Sequence, residues 1–150
     1  MIASLKGTLT SIGKSDIILE VNDVGYFLNV SSKFISSLGD LGSNLFLYTD
    51  FQIKDDKIIM YGFATFKDQN FFKLLQSVQG VGPRAALSIL STLNVDEIIL
   101  AISSGDKAMI ARADGVGPKV AGRITTELLD KISTFNTNKS KEIINNQKSD

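Results

Sequence analysis

The segment Gly80-Val81-Gly82-Pro83-Arg84-Ala85-Ala86 returns as Gly115-Val116-Gly117-Pro118-Lys119-Val120-Ala121, an offset of 115 − 80 = 35 residues. Ile89 and Ile124 keep the same register. The chemistry this pattern can do is anion binding by the backbone. Glycine reaches positive φ without a Cβ clash, so a Gly-Val-Gly turn is expected to use it at two positions. Successive amide hydrogens can then converge on one anion. Proline suits the first helical position, where the amide hydrogen has no intrahelical partner. A helix opening at Pro83 or Pro118 adds free amides and the positive end of its dipole. A phosphate fits there with no side-chain chemistry. A cation follows at the same offset in both copies, Arg84 and Lys119. Arg123 lies one helical turn beyond Lys119, on the same face, within reach of the same or the next phosphate. Val81 and Val116 are expected to point inward and anchor each hairpin.

One such segment is equally well explained as a tight helix–helix connection. Two copies with a matched cation favour a phosphate grip. A P-loop is excluded, since that motif needs four residues between its glycines and a Lys-Ser or Lys-Thr after them. Contacts to phosphate position a protein without reading bases, so the expected binding is structure-selective or non-specific. Two hairpins related by a pseudo-two-fold can hold two backbone strands across one groove of a duplex.

The elements that must position these hairpins fall into two styles. Up to about residue 64 the chain reads as strands: Ser4–Ile12, Asp16–Val21, 24–30, 44–53 and Lys57–Phe63. Ile17, Leu19 and Val21 alternate with Ile18 and Glu20, the period of a half-buried strand. Asn22-Asp23 suits a tight hairpin. A short helix is expected over 33–38, ended by Gly39. Five strands with a helix after the third is the order of a small OB-type barrel, with an SH3-like barrel as the alternative. From Thr65 the period becomes helical. Thr65 with Asp68 marks the start of a helix over 67–78. Further helices are expected over 83–91, from the Asn94 cap with Glu97 to 103 and closed by Gly105, over 107–113, and over 118–132. The fold class is therefore α+β: a five-stranded barrel over 1–64, then an all-helical domain with tandem helix–hairpin–helix motifs over 65–135. Residues 136–150 read as a flexible linker or tail.

Composition limits the alternatives. The 150 residues are 43% hydrophobic and 21% charged, enough apolar content for a buried core. Sixteen basic and sixteen acidic groups cancel, so any surface for a polyanion must be local. The helical part holds 8 basic and 7 acidic residues against 5 and 7 in 1–64, a marginal difference. With no Cys and no His, there is no disulfide, no thiolate nucleophile, no zinc cluster and no histidine base. No catalytic residue, cofactor or metal site is predicted. No signal peptide or run of roughly 20 apolar residues is present, so no membrane role and a cytoplasmic location are expected.

The motifs together resemble the RuvA family, the junction-recognition subunits of bacterial branch-migration machines. Val24-Gly25-Tyr26 and Tyr61-Gly62-Phe63 stand where that family has the same triplets, and 79–91 and 114–126 match its two hairpin motifs. The resemblance covers about residues 1–135. It implies binding of four-way (Holliday) junction DNA, a four-fold homotetramer that holds the junction open and square, a RuvB-type ATPase partner, and no catalysis by the chain itself. It implies that Gly80, Val81, Gly82, Arg84, Gly115, Val116, Gly117, Lys119 and Arg123 make up the DNA-binding site.

The resemblance also gives a role to Lys54-Asp55-Asp56-Lys57, which by itself reads as a hairpin tip most simply explained as a solvated turn. In the family this tip is an acidic pin facing the crossover, where carboxylates repel phosphates. Asp55 stands where the family often has Glu. Gly122 stands where it usually has a charged or polar residue, at a helix-propensity cost of up to about 1 kcal/mol. The family continues, after a linker, into a small domain that docks on the motor. This chain stops at Asp150, inside what reads as the linker, so either it is truncated or it naturally lacks that domain. The leading alternative is a duplex-binding adaptor without junction preference. A glycosylase or nuclease reading finds only Asp106, Asp114 and Glu127, scattered over helices.

Overall fold

Alternation of apolar and polar residues builds the first half. In the computed structural model, which describes residues 2–134, strand β1 (Ser4–Ile12) buries Leu5 and Leu9, β2 (Asp16–Val21) buries Ile17 and Leu19, and β3 (Val24–Asn29) buries Leu28. With Val30 and Leu47 these residues form one core, each large side chain contributing roughly 1.5–3 kcal/mol when fully removed from water. Helix α1 (Ser32–Ser36) crosses from β3 to β4 (Asn44–Lys54), which returns as β5 (Lys57–Phe63). The strands close in the order β1-β2-β3-β5-β4, with β3 and β5 as the parallel contact. This is the OB arrangement. A register shift between Leu9 and Ser11 lets β1 bend from β4 toward β2. Gly62 sits where a Cβ would come within 3.2 Å of Leu47 and 3.4 Å of Val30, so a side chain there would press on the barrel core.

Both two-residue hairpins use residues with positive φ. Asn22 and Asp23 (φ 50° and 67°) join β2 to β3, and Asp55 and Asp56 (φ 53° and 60°) join β4 to β5. Two consecutive left-handed residues match the right-handed twist of the flanking strands, and Asn and Asp tolerate that conformation best after glycine.

The last strand belongs to both halves. Tyr61 and Phe63 point into a second core made by α2 (Phe66–Gln76), α3 (Pro83–Thr92), α4 (Val95–Ser104), α5 (Lys107–Ile110) and α6 (Pro118–Glu127). Phe72 is fully buried between them, its ring centroid 5.0 Å from that of Tyr61 and 4.8 Å from that of Phe63. Gln69 donates to the Thr49 carbonyl across the same seam (2.5 Å). Among the described residues, no single helix is long and apolar enough to cross a membrane.

Most helix boundaries follow the sequence signals. Thr65 caps α2 through the Asp68 amide, Asn94 and Glu97 form a reciprocal capping box on α4, and Gly105 ends α4 in the left-handed conformation (φ 68°). Two expectations are corrected. The helix expected over 107–113 stops at Ile110, because the Ala113 and Val116 amides bond three residues back and tighten the chain toward the second hairpin. The helix expected over 118–132 breaks at Leu128 and resumes over 129–134. Thr125 and Thr126 both donate to the Gly122 carbonyl (2.8 and 3.0 Å), a side-chain competition that bends helices. The stretch 136–150, expected as a linker, lies outside the described residues.

Candidate nucleic-acid interface

The two glycine segments adopt the same geometry. In each, the valine amide donates three residues back, Val81 to Val78 (3.0 Å) and Val116 to Ala113 (3.1 Å). In each, the first glycine is left-handed, Gly80 at φ 94° and Gly115 at φ 78°. Both valines are buried, as expected for anchors. Ala86 and Ala121, and Ile89 and Ile124, are fully buried at equivalent places in the core.

The second glycine of each hairpin corrects the expectation of two positive-φ positions. Gly82 (φ −91°, ψ −177°) and Gly117 (φ −82°, ψ 171°) are extended. Proline follows each, and the residue before proline is driven to extended backbone. Any residue could adopt this conformation. Nor does packing require glycine here, since a Cβ at either position would meet nothing within 4 Å. The absent side chain leaves open space outside the chain's own structure.

Capping sharpens the contrast. α1, α2, α4 and α5 each have a side chain on their first turn, from Ser31, Thr65, Asn94 and Asp106 respectively. α3 and α6 begin at Gly82 and Gly117 with no side-chain cap. Their first-turn amides and the positive ends of their dipoles are uncovered, which is the chemistry of an anion site. Arg84 and Lys119 stand exposed in these first turns.

Two hydrogen bonds that sequence reasoning missed hold the hairpins to each other. Ser88 donates to the Asp114 carbonyl (2.7 Å), and Arg123 Nη2 donates to Gln79 Oε1 (2.8 Å). Ser88 and Arg123 are equivalent in the repeat (123 − 88 = 35), as are Gln79 and Asp114 (114 − 79 = 35). Each unit therefore clasps the residue just before the other's first glycine. The repeat register aligned these positions, but their unlike side chains gave no reason to pair them. Arg123 also lies 3.6 Å from Glu127, so its guanidinium is partly occupied within the protein.

Asp55 and Asp56 form the exposed tip of the β4–β5 hairpin, between Lys54 and Lys57. Where that hairpin passes the helices, burial pushes the Tyr61 phenol above its usual value of 10.0. The Asp50 carboxylate adds to the rise and the Arg84 guanidinium opposes it. Arg84 thus lies within electrostatic reach of the barrel as well as beside the first hairpin.

A closed OB barrel followed by a pseudo-symmetric pair of helix–hairpin–helix units defines the structural class. Residues 1–62 match the model of the RuvA N-terminal domain, and residues 72–130 match the SAM-like helix-hairpin-helix tandem. The chain is 43% identical over 135 residues to the Holliday junction branch migration complex subunit RuvA of Azorhizobium caulinodans, which covers 90% of this chain and 66% of the relative. The proteins of the same name from Rhizobium meliloti (44% over 135 residues; 90% of this chain and 66% of the relative) and Sphingopyxis alaskensis (46% over 131 residues; 87% and 66%) are also similar to it. The chain belongs to the RuvA family. It spans about two thirds of the length of these relatives.

Proposed function

We propose that this chain is a non-catalytic DNA-binding subunit that grips four-way junctions by their backbone phosphates and holds them open for branch migration by a RuvB-type ATPase, in recombination and repair. The observation that carries the reading is the pair of bare glycine caps at Gly82 and Gly117. Two helix N-termini lack the side-chain cap that the other labelled helices have, and they are clasped in one pseudo-symmetric unit. In this reading the uncapped N-terminal turns that begin at Gly82 and Gly117, next to the left-handed Gly80 and Gly115, hold one phosphate each. Val81 and Val116 set the hairpins from within, while Arg84, Lys119 and Arg123 supply charge-assisted contacts. Residues 65–135 are the gripping domain and 1–64 the barrel that carries the pin. Asp55 and Asp56 face the crossover and repel phosphates there.

The names of the relatives speak of a Holliday junction branch migration complex, which supports junction DNA and a motor as partners here. The homotetramer is carried over from the resemblance to the family, and four copies around one axis would match the four arms of the junction. A cytoplasmic location accords with a DNA substrate in a bacterial-type recombination system. The test is to titrate the protein onto four-way junctions built from two unrelated arm sequences. Equal affinity for both is expected of a backbone reader; a strong preference for one sequence contradicts it.

A further inference from the structure

The β4–β5 hairpin carries charge of both signs, and its register separates them in space. Asp50 pairs with Tyr61, Gln52 with Ile59 and Lys54 with Lys57. Directly opposed residues share a face of the ribbon, and every second residue returns to it. Asp50, Gln52, Lys54, Lys57, Ile59 and Tyr61 therefore line one face. That face looks toward the helices: Gln52 donates to Gln76 of α2 (2.9 Å), and Tyr61 and Ile59 pack on the helical core. The intervening Ile53 and Ile58 pair on the other face. Following the helix-facing side outward, the ladder ends at the two lysines, just short of the acidic tip.

Lys54 does not end in open space, and Lys57 stands beside it across the strand pair. Lys54 lines a groove with Gly82, Pro83 and Arg84 of the first hairpin and Asp114 and Gly115 of the second. The groove is open to solvent along one side, with a volume of ≈ 610 Å³. Its charged lining is Lys54 and Arg84 against Asp114, with Lys57 directly across the strand pair from Lys54. Two like charges directly opposed on a ribbon are destabilising unless an anion sits between or above them.

We infer that Lys54 and Lys57 form, with the first hairpin, one phosphate-binding groove, so that the base of the pin holds the DNA backbone while its tip repels it. The ligand is the sugar–phosphate backbone, and the proposal rests on the junction-binding reading above. The barrel then takes a direct part in the grip. It also fixes where the repelling carboxylates stand relative to the strand held by Gly82 and Arg84, because Asp55 immediately follows a lysine bound to that strand.

The experiment is junction binding titrated over salt for the wild-type chain and the single variants Lys54→Gln, Lys57→Gln, Arg84→Gln and Lys6→Gln. Lys6 pairs with Phe46 near the opposite end of β4 and controls for net charge. Each phosphate that a variant no longer neutralises should reduce the magnitude of the slope of log K against log salt by about 0.9. Arg84→Gln sets the scale. Lys54→Gln and Lys57→Gln should each weaken binding several-fold and shift the slope as Arg84→Gln does, with unchanged melting temperatures, while Lys6→Gln leaves the slope alone. Slopes at Lys54 and Lys57 equal to wild type, or no different from Lys6→Gln, overturn the inference and leave the junction reading standing. A wild-type chain that binds no DNA overturns both.

Discussion

The four hairpin glycines do two different jobs, and substitution should separate them. Gly80 and Gly115 need positive φ, so Gly80→Ala or Gly115→Ala should cost roughly 1–2 kcal/mol of stability through backbone strain. Gly82 and Gly117 are extended, and a Cβ at either would have no neighbour within 4 Å, so Gly82→Val with Gly117→Val should cost only about 1 kcal/mol each as poorer caps. The double variant should stay folded by thermal melt yet lose most junction affinity. Retained affinity in a folded double variant contradicts backbone capture of phosphate. At the pin, Asp55→Asn with Asp56→Asn keeps a turn that tolerates positive φ and removes two negative charges. Junction binding should tighten, most at low salt where repulsion is least screened. Weaker binding by the folded variant reverses the role assigned to the pin. The sequence marked all four glycines as one kind of residue. It could not divide them, because the division depends on which glycine becomes the helix cap before proline.

At the scale of elements, two joints hold the site in place. Phe72 welds α2 to β5 between Tyr61 and Phe63, so Phe72→Ala should cost about 3–5 kcal/mol in denaturant unfolding. A loss below 1 kcal/mol would mean that the barrel and helices do not share this core energetically. Asn94 closes α4 with a capping box away from the hairpins. Asn94→Ala should lower stability by about 1 kcal/mol and leave junction affinity unchanged. Strand β2, the Thr65 and Asn94 caps and the Gly105 stop were legible because each is set by residues adjacent in sequence. The break at Leu128 was not, since it follows from two threonines turning back on the Gly122 carbonyl. The clasps were hidden for a different reason. Ser88–Asp114 and Arg123–Gln79 join residues 26 and 44 positions apart, and only folding brings them together. The groove at Lys54 was hidden likewise, because the pin and the first hairpin belong to different halves of the chain.

Over the whole molecule, zero net charge is consistent with a polyanion partner only if charge is sorted by place. The fold does this sorting. Arg84, Lys119 and Lys54 gather near the uncapped helix ends, and the two pin carboxylates are placed at a hairpin tip. Such a layout suits a substrate in which backbone must be held in some places and kept apart in another. A linear duplex offers the hairpins their phosphates but gives the acidic tip nothing to do. A four-way junction uses both. The most direct measurement is therefore a salt-titrated binding comparison of a four-way junction with a linear duplex of the same arm sequences. The account predicts that the junction remains bound at a salt concentration where duplex binding is lost. Equal affinity across the titration would contradict it, and would make the chain a duplex-binding adaptor whose hairpins grip phosphate without reading the geometry of a junction.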